Sequence, residues 1–171
     1  MHDILLISGV PASGKSYFGQ WLERTASFLH FDVEKDGRLE RRRLKPFWDL
    51  CFTNETVRPL VKALRAQASP VVLDWGFPPE WLSVVAMLKS EGVGIWWFNA
   101  DHAAARRAFI KRGDVSLECF DRQIAKITRA WPNIKGLFEP QIITTLGSDD
   151  KRVSRAEILR AIQGIGSGNP A

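Results

Sequence analysis

Residues 4–16 read ILLISGVPASGKS, a run of branched apolar side chains that ends in a glycine-framed loop. Ile4, Leu5, Leu6 and Ile7 suit a strand buried on both faces, the habit of parallel sheets. Behind them stands Gly9-x-x-x-x-Gly14-Lys15-Ser16, the spacing of a phosphate-binding loop. The two glycines let the backbone turn and bring its N–H groups against a polyphosphate with no Cβ in the way. Pro11 fixes one φ in that turn. Lys15 opens a helix over residues 15–25 and can reach β- and γ-phosphates, while Ser16 offers its hydroxyl to Mg2+. The helix start adds a positive dipole end aimed at the anion. The expected nucleotide-contacting set is Gly9, Val10, Pro11, Ala12, Ser13, Gly14, Lys15, Ser16 and Tyr17.

The rest of the composition narrows the class. With 171 residues, 45% of them hydrophobic, the chain suits one domain with a full core. Residues 1–163 are expected to form that domain, and the GIGSGNPA tail from residue 164 to be flexible. A formal charge of +5 favours an anionic substrate. Cys51 and Cys119 show neither metal spacing nor a disulfide framework, which points to a reduced cytoplasm. A signal peptide or a membrane-length apolar run is not expected.

Outward from the loop, strands and helices alternate. Residues 28–32, FLHFD, read as a short strand ending in an acid, followed by the charged stretch VEKDGRLERRRLK. Pro46 starts a short apolar helix. Val57, Leu60, Val61 and Leu64 then give one clean helical face. Val71-Val72-Leu73 predicts a strand ending at Asp74-Trp75-Gly76. Pro79 and Glu80 suit the first turn of a helix with Trp81, Val84, Val85 and Leu88 inward.

Residues 95–98 predict another strand. Asp101 is a candidate cap for a helix that Gly113 ends, and Ser116 for one more, with Leu117, Phe120, Ile124, Ile127 and Trp131 inward. Residues 142–146 predict the last strand and 154–162 the last helix. The alternation gives an α/β domain with a parallel sheet, its site beyond the strands' carboxyl ends.

Four groups are candidates for chemistry. Asp74 follows a buried strand, where a nucleotide site needs a carboxylate near Mg2+. Asp32 ends a strand and is a candidate base for a substrate hydroxyl, with Glu34 and Asp36 as rivals one turn on. Arg106, Arg107, Lys111 and Arg112 place cations near a glycine, suiting phosphoryl oxygens. Arg107 joins the nucleotide-binding candidates, and Arg112 could swing in with a closing segment. Trp75 either stacks on a substrate ring or plugs the sheet edge. Arg122, Lys126 and Arg129 read as a solvated stripe. His2, His30 and His102 form no recognisable ligand set. Guanine-specific switching is not expected, since neither D-x-x-G nor N-K-x-D occurs.

Three blocks, GVPASGKS, VVLDWGFPPEWLSVVAMLKSEG and IKRGDVSLECFDRQIAKI, resemble the P-loop kinase group that contains the bacteriophage polynucleotide kinase domain and zeta-toxin-like kinases. They fall in family order from Gly9 to Ile127. The resemblance implies a three-layer P-loop NTPase fold with sheet order 2-3-1-4-5, and a lid between the last two strands. It also implies ATP with Mg2+ as donor and a hydroxyl acceptor, either a polynucleotide 5′-hydroxyl or a small molecule. By position, Lys15 and Ser16 would hold phosphate and metal, Arg112 would be the lid arginine, and Asp32 would orient or deprotonate the acceptor. Two departures fall on the acceptor side: Lys35 stands where polynucleotide kinases have arginine, and Trp75 where they have a small hydroxyl residue. A different class also fits the loop, an ATP-binding or slow ATPase module that acts on a protein partner through lid movement.

Overall fold

The computed structural model describes residues 2–34, 37–76, 79–113 and 116–166. Lys35, Asp36 and residues 167–171 lie outside the described residues, while residues 164–166, expected in a flexible tail, continue the last helix. Five strands, β1 (Ile4–Gly9), β2 (Leu29–Asp32), β3 (Val71–Asp74), β4 (Gly94–Ala100) and β5 (Ile142–Leu146), form one parallel sheet. Its order is β2-β3-β1-β4-β5, as the resemblance implied. Every residue of β1 is buried, which is why its sequence runs apolar without alternation.

Successive residues of β1 face opposite layers. Leu5 and Ile7 pack with Phe18 and Leu22 of α1 (Lys15–Thr25) and with Ile158 and Ile162 of α8 (Arg155–Gly166). Ile4 and Leu6 join the larger core on the other face. That core is covered by α3 (Lys45–Thr53), α4 (Arg58–Arg65), α5 (Leu82–Ser90), α6 (His102–Arg112) and α7 (Leu117–Phe138), with α2 (Arg38–Arg41) supplying Leu39. Each fully buried large apolar side chain contributes about 2 kcal/mol by leaving water, so both faces need a cover.

Local signals bound α6 and begin α7 where expected. The Asp101 side chain accepts from the Ala104 N–H at 2.9 Å, and Gly113 closes α6 at φ 74°. The Ser116 side chain caps α7. α7 then runs past Trp131 through Pro132 to Phe138. Proline removes one helical donor, but continuing buries Ile134 and Phe138 completely.

Two expected inward positions are corrected. Trp81 is 38% exposed and Leu117 37% exposed. Residues Pro79–Trp81 form a 3₁₀ turn before α5, which rotates Trp81 away from the face of Val84, Val85 and Leu88. Trp131, half-buried, packs against the core as expected, its ring 6.3 Å from Trp97.

Candidate active site

The carboxyl ends of β1, β2 and β3 and the start of α1 frame a cleft of about 360 Å³, with α7 across it. The loop of residues 9–14 forms its floor. At Gly9 the backbone takes φ 141°, and a Cβ there would lie 2.1 Å from the Phe98 carbonyl oxygen. Only glycine lets the loop leave β1 this close to β4. The Val10 N–H donates to that same carbonyl at 3.0 Å, so the loop's first turn is pinned to β4.

Two anchors arrive from the far end of the chain. Thr145 Oγ1, buried in β5, lies 2.8 Å from the Ser13 carbonyl oxygen and 3.1 Å from that of Asn99. Arg152 donates to the Ala12 carbonyl at 3.1 Å and packs beside Gly14. Neither residue is signalled by sequence: Thr145 looks like its neighbour Thr144, and Arg152 like any surface arginine. Their roles exist only once β5 lies beside β4.

Lys15 Nζ donates to the carbonyls of Gly9 and Val10, each at 3.1 Å. The side chain keeps some contact with solvent, yet protein surrounds the ammonium closely. Loss of water around it holds the Lys15 pKa below the usual lysine value, and nearby Arg112 pushes the same way. Asp74, Glu34 and Asp32 oppose that shift. Lys15 therefore senses the other four charges, all of which line the same cleft.

Strand register explains the carboxylates. Asp32 is paired with Asp74 across β2 and β3, so both project to the α1 side at the strands' ends. Asp32 Oδ1 accepts from the Glu34 N–H at 3.1 Å, an Asx turn that aims the chain out of the sheet. Asp74 is 3% exposed, and its Oδ2 has no hydrogen-bond partner. An orphaned carboxylate oxygen is costly, so a hydrogen-bond donor at that point would relieve it and leave the other oxygen for a cation.

This donor set fits a nucleotide-borne Mg2+. Such an ion takes one or two protein oxygens and fills its octahedron with phosphate and water. Ser16 and Asp74 both line the cleft. Among the described residues no group of three or more His, Cys, Asp or Glu could hold a metal ion by itself.

Of the basic cluster, Arg112 lines the cleft. Arg106 pairs with Asp121 at 3.2 Å. Arg107 is exposed and bonds Asp150 at 2.9 Å and the Ser148 carbonyl at 3.3 Å, tying α6 to the turn after β5. It is not among the cleft-lining residues, and neither is Tyr17, which is 56% exposed with the Arg155 guanidinium 4.5 Å over its ring. Val10 and Ser13 are buried in the loop, where Val10 contributes backbone. Gly9, Pro11, Ala12 and Ser16 line the floor, and Gly14 is the N-cap of α1.

The helical stripe on α7 divides. Arg122 and Lys126 line the cleft while Arg129 does not. Lys126 bridges to Glu80 at 2.8 Å, linking α7 to the 3₁₀ turn across the opening, and holds the Glu80 carboxyl below its usual range. Phe109, Phe120, Gln123 and half-buried Cys119 also face this end, as sequence reasoning did not foresee.

The open question about Trp75 resolves by packing. It is 5% exposed, with edge-on contacts to Trp48 at 5.0 Å and Phe52 at 5.7 Å. The Trp75 ring belongs to the core, while its carbonyl oxygen accepts from Ser8 at 2.6 Å beside the loop. It is not a stacking platform in this fold.

No protein-family model matches this chain, and no curated protein matches it. Solved structures do. A shikimate kinase from Bacteroides thetaiotaomicron superposes with TM-score 0.54 at 18% identity, covering 95% of each chain. A tunicamycin resistance protein from Deinococcus radiodurans gives 0.59 at 15%, covering 99% of this chain and 98% of its own. A deoxyadenosine kinase from M. mycoides with bound dATP gives 0.50 at 12%, covering 98% and 100%. At these identities the likeness is one of fold. This chain has the α/β fold of P-loop NTPases, with a five-stranded parallel sheet of order 2-3-1-4-5.

Proposed function

We propose that the protein is an ATP-dependent kinase that transfers the γ-phosphoryl group of ATP to a hydroxyl acceptor. The observation that carries this reading is the convergence of Lys15, Arg112, Asp32, Glu34 and Asp74 on one cleft whose floor is the glycine-framed loop. Two of the fold neighbours bear the names of kinases that act on hydroxyl-bearing small molecules, which supports the same reading.

In this scheme the loop's N–H groups and Lys15 hold the phosphates, with Lys15 exchanging the Gly9 and Val10 carbonyls for phosphate oxygens. Ser16 and Asp74 hold Mg2+, which supplies charge neutralisation when bound. Arg112 stabilises negative charge on the moving phosphoryl group. Asp32 receives or orients the acceptor proton, a step that depends mostly on position because the transition state is loose. The α6–α7 pair would be the lid of the resemblance; residues 114–115 between them lie outside the described residues.

ADP release against an acceptor panel tests the proposal: 5′-hydroxyl DNA and RNA, nucleosides, sugars and aminoglycosides. An acceptor that raises ADP release above the basal rate and carries the phosphate afterwards is the expected result. A panel that never stimulates turnover removes the kinase reading and favours the ATPase module acting on a protein partner.

A further inference from the structure

Behind the cleft, two buried polar atoms face one another with no hydrogen-bond partner. His30 Nε2 lies 3.6 Å from Asp74 Oδ2. Their residues are 2% and 3% exposed. A buried polar atom without a partner is disfavoured, and each of these is placed to satisfy the other. One proton on Nε2 of a neutral imidazole suffices, after a small side-chain rotation.

The surroundings are built for that ring. His30 pairs with Val72 and Asp32 with Asp74 in the β2–β3 register, so the imidazole stands one pleat behind the paired carboxylates on the same face. On α1, a Cβ at Gly19 would lie 2.4 Å from His30 Cδ2 and 2.6 Å from Nε2. Glycine weakens a helix interior, yet here it is what lets the ring sit between helix and sheet.

We propose that His30 is a positioning residue for Asp74: its Nε2–H donates to Oδ2, fixes the carboxylate rotamer, and leaves the second oxygen for the metal shell. This rests on the kinase reading, in which Asp74 serves Mg2+. Groups that orient a metal-linked side chain in this way alter metal affinity by about 10–100-fold when removed.

The test pairs His30→Leu, which removes the donor, with His30→Gln, which returns an amide donor at similar reach. Gly19→Ala displaces the ring while removing no hydrogen-bonding group. Mn2+ affinity is read by EPR in the complex with a non-hydrolysable ATP analogue, and analogue affinity without metal by calorimetry. His30→Leu and Gly19→Ala should weaken Mn2+ at least about tenfold while metal-free analogue binding holds, and His30→Gln should recover most of the loss. Nitrogen NMR of the unliganded wild type should show His30 protonated at Nε2.

An Nδ1-protonated ring overturns the role without any variant. So does unchanged Mn2+ affinity in His30→Leu, a glutamine variant as weak as the leucine one, or an equal loss of metal-free analogue binding. Wild-type protein that binds no Mn2+–analogue complex overturns the kinase reading and this role together. Binding that survives His30→Leu overturns this role alone.

Discussion

Thr145 Oγ1 lies 2.8 Å from the carbonyl oxygen of Ser13, so the last strand of the sheet holds the loop that follows the first. Removing that hydroxyl leaves a buried carbonyl unsatisfied, at a cost of about 1–3 kcal/mol. Thr145→Val should therefore lower the unfolding free energy by about that amount and weaken ATP severalfold. Thr145→Ser, which keeps the donor, should restore both. Urea unfolding and calorimetry on the two variants check this. Wild-type ATP affinity in Thr145→Val would show that the loop needs no hold from β5.

Lys15 sets a pH dependence. Its folded-state pKa lies below the ordinary value of 10.5 because its ammonium has lost water, with Arg112 adding to the effect. The unfolded chain keeps that proton to higher pH, so the unliganded protein gains stability as pH rises between the lowered value and 10.5. Lys15→Met should lack this rise. Bound phosphate favours the charged ammonium, so ATP affinity should fall over the same window. Urea midpoints and ATP titrations from neutrality to about pH 10 measure both effects. Lys15→Ala should abolish turnover, and wild-type turnover in a folded Lys15→Ala protein would remove the loop's assigned role.

Arg112 is the arginine of its cluster that reaches the cleft. Arg112→Ala should lower kcat by about 10³-fold, the scale of catalytic arginines, while ATP affinity changes only a few-fold. Equal losses in both would make it a ground-state clamp. Arg107→Ala is the companion measurement. Its guanidinium is held by exposed Asp150, so ATP affinity should stay within about twofold and stability should fall by at most ~1 kcal/mol.

Asp32→Asn should cut acceptor-dependent phosphorylation while sparing ATP binding and most basal hydrolysis. Asparagine keeps the size of aspartate and still accepts from the Glu34 N–H, but it accepts a proton poorly. Water needs no shaped acceptor site, so hydrolysis continues. Glu34→Gln serves as the comparison, since Glu34 also lines the cleft. If Glu34→Gln is the damaging change and Asp32→Asn harmless, the base is Glu34.

The glycine-framed loop, the four apolar residues ahead of it and the helix caps at Asp101 and Ser116 were legible because each acts through its sequence neighbours. The same holds for the closing glycine of α6, whose φ of 74° is a local property of the chain. The strand order came from resemblance, and the register then put Asp32 beside Asp74. Periodicity misplaced Trp81, because a 3₁₀ turn shifts the phase of the helix that follows.

What the sequence determined by itself was local: an apolar strand, a backbone turn that only glycine can make, and a lysine and a serine at the start of a helix. What tertiary structure decided was which distant groups meet. Trp75 became core because Trp48 and Phe52 close on it. Arg107 pairs with Asp150, whereas Arg112, five residues on, lines the cleft. Thr145 and Arg152 reached the loop, and His30 reached Asp74. The physical reason is range. Caps, turns and helical faces are fixed by atoms a few residues apart, while a long polar side chain is committed by whichever partner packing brings within about 3 Å.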